Sequence, residues 1–295
     1  MSRVTEREAR VGGVRTRLLE LRPGEPRELP TLLLLHGFSD SADTWRPLLE
    51  RLRRSRRTAV AVDLPGFGRA DRLDRHSPIL PQLDRFAAAA IEREAAVSPT
   101  GEVIVVGNSL GGCVAMRAAE RAELPIAGIV PIAPAGLDMA GWFAAIEGAW
   151  AIQTILRSPL PLPDAAVRGL VGEAYRRLAA HRPRALPASQ VAAFTSHVAT
   201  KRDVVRILGT GRRLRSELRD PFALGRIRCP VLVVWGERDR MVFPAGAQRI
   251  LDEVPGARLE LIPDCGHCPQ VECPDTVAAL LHGFTATTPD PIHHL

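Results

Sequence analysis

The period of the hydrophobic pattern changes repeatedly along this chain. Residues 14 to 22 (VRTRLLELR) and 31 to 36 (TLLLLH) have strand character, and the second is an unbroken apolar run, as expected of a strand covered on both faces. The same signature returns at 57 to 63 (RTAVAVD), 103 to 107 (VIVVG), 126 to 133 (IAGIVPIA), 230 to 236 (PVLVVWG) and 257 to 262 (ARLELI). Between these runs, residues 44 to 54, 86 to 97, 110 to about 121, 245 to 254 and 274 to 284 read as helices. Strands alternating with helices predict an α/β fold with a mostly parallel central sheet flanked by helices. One stretch breaks the alternation. Between Gly136 and about Gly225 nothing reads as a buried strand, and a helical pattern is interrupted by prolines at 159, 161, 163, 183 and 187. The expected organisation is a core of residues 1–136 and 226–295, with residues 137–225 inserted between two strands as a helical cap or lid.

Composition narrows the function classes. The 295 residues are 46% apolar, enough for a sizeable core, and no apolar run of 18 or more predicts a membrane-spanning helix. The N-terminal MSRVTEREARVGG is charged and has no apolar core of the secretory type. Five cysteines are too few and too odd in number for a disulfide framework, so a reducing cytoplasm is expected. The net charge is +6, and every basic residue except Lys201 is arginine. Thirteen basic and seven acidic residues lie between Leu137 and Gly225, so that segment accounts for the whole excess. This is either a solvated helix surface or a basic mouth for acidic substrates. No cluster of basic and aromatic residues suggests a nucleic-acid partner, and the sequence carries no signal of oligomeric state.

The sharpest local signal is VIVVGNSLGG, residues 103 to 112. A strand that turns at once into a helix brings two backbones into contact, so positions flanking the apex must be small, and glycines stand at 107, 111 and 112. The apex, Ser109, is forced into strained backbone above the C-terminal edge of the sheet, as in the G-x-S-x-G nucleophile elbow. The amide of Leu110 then starts a helix and points to any oxyanion formed at a carbonyl attacked by Ser109.

With LLHGF (34 to 38), DLPGFG (63 to 68), GNSLGG (107 to 112), WGERDRMVFP (235 to 244) and GHCPQVECP (266 to 274) in this order, the sequence resembles the α/β-hydrolase family. The resemblance implies a serine hydrolase in which Ser109 is the nucleophile, His267 its base and Asp239 the carboxylate that orients the base. Glu237 competes for the last role, but the family pattern G-x-x-D selects Asp239. The amides of Phe38 and Leu110 would form the oxyanion hole, with His36 shaping that loop by hydrogen bonding. Asp63 is expected to hold a turn. The implied substrate is a small-molecule carboxylic ester with a small to medium apolar acyl group, and no cofactor is needed. Carbon–carbon hydrolysis of meta-cleavage-type diketones is the alternative. Enzymes of that kind carry tryptophan after the histidine, where this chain has Cys268. A different class, a non-catalytic ligand-binding homologue, would share the fold without turnover.

Two further patterns admit more than one reading. Cys265, His267, Cys268 and Cys273 have the density of a metal site, but zinc would consume the base. Buried packing is the expectation, with a redox pair next and no metal. Met139, Trp142, Phe143, Ile146 and Trp150 share one helix face, which either packs the cap on the core or roofs a substrate pocket. Trp142, Phe143 and Ile146 are therefore the substrate-binding candidates.

Overall fold

A computed structural model of the protein describes residues 3–141, 148, 154, 158 and 162–286. The apolar runs become strands of one eight-stranded sheet. They are β1 (Val4–Val11), β2 (Val14–Leu21), β3 (Thr31–Leu35), β4 (Ala59–Val62), β5 (Val103–Asn108), β6 (Ile126–Ile132), β7 (Leu232–Gly236) and β8 (Arg258–Ile262). Their spatial order is β1-β2-β4-β3-β5-β6-β7-β8. β2 runs antiparallel to β1 and β4, and every other pairing is parallel. The helices described are α1 (Arg46–Leu52), α2 (Ile79–Ala95), α3 (Leu110–Ala119), α4 (Asp164–Ala179), α5 (Ala188–Ser196), α6 (Lys201–Glu217), α7 (Ala247–Glu253), α8 (Pro269–Glu272) and α9 (Pro274–Ala286).

The period of two along each strand divides the core. Leu33 and Leu35 pack with Leu83, Ile91, Cys113 and Ile250, the inner residues of α2, α3 and α7. Leu32 and Leu34 face the opposite side and meet Leu48, Leu49, Val277 and Leu281 of α1 and α9. Covering both faces in this way is what an unbroken apolar strand requires.

β1 departs from the sequence reading. Its eight residues, VTEREARV, show no apolar alternation because the strand lies at the sheet edge with most of its residues exposed. The local signal was the turn. Gly12 and Gly13 both have positive φ, 55° and 85°, as the two-residue turns that match strand twist require. The charged side chains of β1 also guard an open edge against pairing with another chain. α2 begins at Ile79, well before the expected residue 86. Its start is fixed from a distance: the Glu217 carboxylate accepts from the Ile79 and Leu80 amides, each at 2.8 Å. An acidic group on the first amides of a helix offsets their missing partners.

β6 and β7 are neighbours in the sheet, paired at Ile132 and Val234, although the chain runs through α4, α5 and α6 between them. No named strand lies in that interval among the described residues. α6 starts on a capping box in which the Thr200 hydroxyl and the Asp203 carboxylate satisfy each other's backbone amides. Its far end reaches α2 through Glu217. α4 stacks Tyr175 on Phe194 of α5, with ring centroids 4.0 Å apart.

Candidate active site

The corner after β5 is as tight as its glycines imply. A Cβ on Gly107 would lie 2.1 Å from the Gly111 carbonyl oxygen, and one on Gly111 would lie 2.1 Å from that of Leu35. Only hydrogen fits at either position. Ser109 has φ 53° and ψ −114°, a conformation costly for any residue with a Cβ. The surroundings hold it there: its amide donates to the Ile132 carbonyl (2.9 Å), and its carbonyl accepts from Cys113 (2.9 Å) and Ala135 (3.0 Å). Leu110 is the first residue of α3, so its amide is among those with no acceptor inside the helix.

β7 and β8 deliver the other two groups. After Gly236 the chain turns so that the Asp239 side chain is buried while Glu237 stays exposed. Asp239 Oδ1 accepts from the Met241 (2.7 Å) and Val242 (3.1 Å) amides. Its Oδ2 accepts from Trp235 Nε1 (3.2 Å) and lies 2.7 Å from His267 Nδ1. Four donors on two oxygens fix this carboxylate, and its position assigns the proton to His267 Nδ1, leaving Nε2 as the basic nitrogen. His267 is itself pinned by its backbone. Its amide donates to the Ala179 carbonyl (2.8 Å), and its carbonyl accepts from Asn108 Nδ2 (3.0 Å). No local signal in the sequence marks Trp235 or Asn108 for these contacts. Glu272 stands within GHCPQVECP, and its carboxylate accepts from the Gly266 (2.9 Å) and His181 (2.8 Å) amides and shapes the turn before His267.

The loop after β3 closes over the same point. A Cβ on Gly37 would sit 3.4 Å from Ser109 Cβ, so the chain at Gly37 and Phe38 passes directly beside the apex. His36 organises this loop as expected. Its Nε2 accepts from the Leu64 amide at 2.8 Å, so its Nδ1 carries the proton donated to the Gly37 carbonyl, also at 2.8 Å. Burial pushes its pKa down to about 4, which keeps the ring neutral. Asp63 holds a turn as anticipated, accepting from the Ala42 (2.7 Å) and Arg69 (2.8 Å) amides.

Ser109, His267, Phe38 and Leu110 open into one cavity of about 970 Å³. Its far side is built from two helix stripes: Val167, Leu170, Val171, Ala174 and Leu178 of α4, and Val204, Ile207, Leu208, Gly211 and Leu214 of α6. Both follow the spacing i, i+3, i+4, i+7 used to single out Trp142, Phe143 and Ile146. The same test applied to residues 164–218 would have found them, but the abundant arginines there draw attention to the polar face. Trp142, Phe143 and Ile146 themselves lie outside the described residues. Met139 lines the cavity and forms an isolated bridge with Val242.

The cysteines are free. Cys268 borders the cavity, and burial drives its thiol well above the ordinary range. Cys265 and Cys273 hydrogen-bond one another, which raises the pKa of Cys265 and lowers that of half-buried Cys273. Cys229, also half-buried, is pushed up to about 11 by burial. Iodoacetamide at neutral pH is therefore expected to modify Cys273 first. Peptide mapping over a time course reads the order, and earlier labelling of Cys268 would contradict it.

Residues 32–280 match the profile described as the alpha/beta hydrolase family, most of the chain and all the elements described above except β1, β2, the first residue of β3 and the last residues of α9. The chain belongs to the alpha/beta hydrolase family. Among its relatives in this family is a pimeloyl-[acyl-carrier protein] methyl ester esterase of Xanthomonas campestris pv. campestris, 29% identical, covering 88% of this chain and 96% of that one. A 2-hydroxy-6-oxo-6-(2'-aminophenyl)hexa-2,4-dienoic acid hydrolase of Metapseudomonas resinovorans is 26% identical and covers 98% and 93%. Among solved structures, a bacterial membrane phospholipase A matches with a TM-score of 0.72 and 25% identity, over 98% of this chain and 87% of that one. In this alpha/beta hydrolase no described helix is long and apolar enough to cross a membrane.

Proposed function

We propose that this alpha/beta hydrolase is a serine esterase that cleaves carboxylic esters with small to medium apolar acyl groups. The observation that carries the reading is the 2.7 Å pair of His267 Nδ1 with buried Asp239, opening with the strained Ser109 into one largely apolar cavity. His267 Nε2 takes the Ser109 proton as Oγ attacks the ester carbonyl. The amides of Phe38 and Leu110 receive the developing oxyanion, each contributing roughly 3 kcal/mol. Collapse expels the alcohol, which takes the proton from His267. Water, deprotonated by the same imidazole, attacks the acyl-enzyme, and the acid leaves with Ser109 restored. Residues 137–225 act as a helical cap, with α4 and α6 closing the acyl pocket. At about 970 Å³ the cavity is at the upper end of small-molecule sites, which favours acyl chains beyond acetyl.

Carbon–carbon hydrolysis is the second reading, favoured by the near full-length match to the dienoic acid hydrolase. Cys268 after the histidine speaks for the ester. A fluorophosphonate probe, followed by a panel of nitrophenyl esters and a ring-cleavage diketone, separates the cases. Labelling at Ser109 with turnover of butyrate to octanoate esters is expected. Turnover of the diketone alone would favour the second reading. Absence of both labelling and turnover would leave a ligand-binding homologue.

A further inference from the structure

Two aspartates three residues apart follow the oxyanion loop, and their surroundings differ sharply. Asp43 is gripped by Arg17 Nη2 at 2.7 Å and Arg46 Nε at 2.6 Å. Burial opposes its charge, yet these partners and nearby His197 hold its carboxyl far below the usual range. Asp40 is equally buried, 6% exposed, but forms no ion pair among the described residues. Its Oδ1 accepts from the Ser41 amide at 2.8 Å, and the Thr44 hydroxyl lends a further hydrogen bond. It lines the cavity that contains Ser109 and His267. Two guanidinium groups reach this turn, Arg17 from β2 and Arg46 from the start of α1, and both pair with Asp43 rather than Asp40. Asp138, Lys201, Arg215 and Arg219 also line the cavity, whose wall is otherwise mostly apolar; a buried carboxyl with no ion pair in such a wall is a candidate to meet a polar group that enters the cavity.

We propose that Asp40 selects the acyl group: its carboxyl hydrogen-bonds an oxygen carried on the substrate chain a few bonds from the carbon attacked by Ser109. This rests on the esterase reading. The reach follows from the chain itself, because Phe38 and Asp40 are two residues apart and their Cα atoms can be at most about 7 Å apart. The substrate class is therefore an ester whose acyl chain bears an oxygen function close to the scissile carbonyl, for which a keto group is the probe. Burial lifts Asp40 to about 7, so the carboxyl is a donor on the acid side of neutrality and an acceptor-only carboxylate above it. A keto oxygen, which can only accept, is served by the protonated form. The groups that face Asp40 are Asp43 on its own turn, His197 after α5, Tyr175 of α4 and Cys268 beside the base. Burial raises the pKa of both Tyr175 and Cys268, so both remain neutral as Asp40 titrates.

The test compares nitrophenyl hexanoate with its 4-oxo and 5-oxo analogues on the full-length protein, reading the ratio of kcat/KM for the better keto ester over the parent. Parent and keto ester share the same reacting groups, so any pH effect on the chemistry common to both cancels in the ratio. In the wild type the ratio is expected to be about tenfold at pH 6 and to fall several-fold by pH 8.5. Asp40→Asn, whose amide donates at every pH, keeps a ratio above one that no longer changes with pH. Asp40→Val brings it close to one. His197→Gln leaves the pH dependence in place. A wild-type ratio near one, a ratio unchanged in Asp40→Val, or wild-type pH dependence in Asp40→Asn would overturn the proposal. A lower melting temperature with an unaltered ratio would reduce Asp40 to a structural role. If neither the parent ester nor a fluorophosphonate reacts, the esterase reading itself has failed, whereas labelling with an unaltered ratio rejects only the assignment to Asp40.

Discussion

Ser109→Ala is expected to lower kcat for ester hydrolysis by ~10⁴-fold or more, since removing one member of such a constellation disables the others. Steady-state kinetics on the preferred nitrophenyl ester, with the purified variant free of wild-type protein, measure the loss. A drop of less than about tenfold would mean that another group is the nucleophile. Ser109→Gly adds a second readout. With φ 53° and ψ −114° the serine sits where only glycine is at ease, a strain worth about 1–3 kcal/mol. Glycine relieves it but gives back about 0.5–1 kcal/mol in unfolded-state entropy. The inactive glycine variant should therefore unfold at higher temperature than the wild type. Lower stability would show that Ser109 is not under load, which would undercut the argument from backbone strain.

Arg17→Leu is expected to cost about 3–5 kcal/mol of stability, roughly 10 °C in melting temperature, without touching the cavity. Arg17 is 1% exposed on β2, with Nε on Asp63 Oδ2 at 3.0 Å and Nη2 on Asp43 Oδ2 at 2.7 Å. Leucine matches part of its volume but leaves buried Asp63 without an ion-pair partner and Asp43 with Arg46 in place of two guanidinium groups. Differential scanning calorimetry reads the change, and a loss under about 1 kcal/mol would mean that water compensates for the guanidinium. Acid attacks the same cluster. The folded pKa of Asp43 is depressed, so the stability it contributes is complete above its unfolded pKa of about 4 and drains away as pH falls towards the folded value.

Much of this molecule was legible in the sequence because its signals are local. TLLLL and VIVVG read as strands since both faces are covered, and the glycines around Ser109 betray a corner that no larger residue could turn. The resemblance of WGERD and GHCP to the family's motifs pointed to Asp239 and His267, which the structure brings within 2.7 Å. What escaped depends on burial in three dimensions. In SDSADTW nothing local distinguishes the two aspartates, and only packing separates the ion-paired Asp43 from Asp40 in the cavity wall. β1 escaped for the opposite reason, since an exposed edge strand has no apolar face to announce it. The start of α2 escaped because its cap, Glu217, is supplied from the far end of another helix.

The chain leaves the sheet after β6 and returns to it at the adjacent β7. Descendants of this gene are thus free to lengthen, shorten or exchange everything between the two strands while Ser109, Asp239 and His267, all encoded outside that interval, pass on unaltered. One tether limits the exchange: any replacement must still offer a carbonyl where Ala179 receives the amide of His267, or a new appetite would come with a misplaced imidazole.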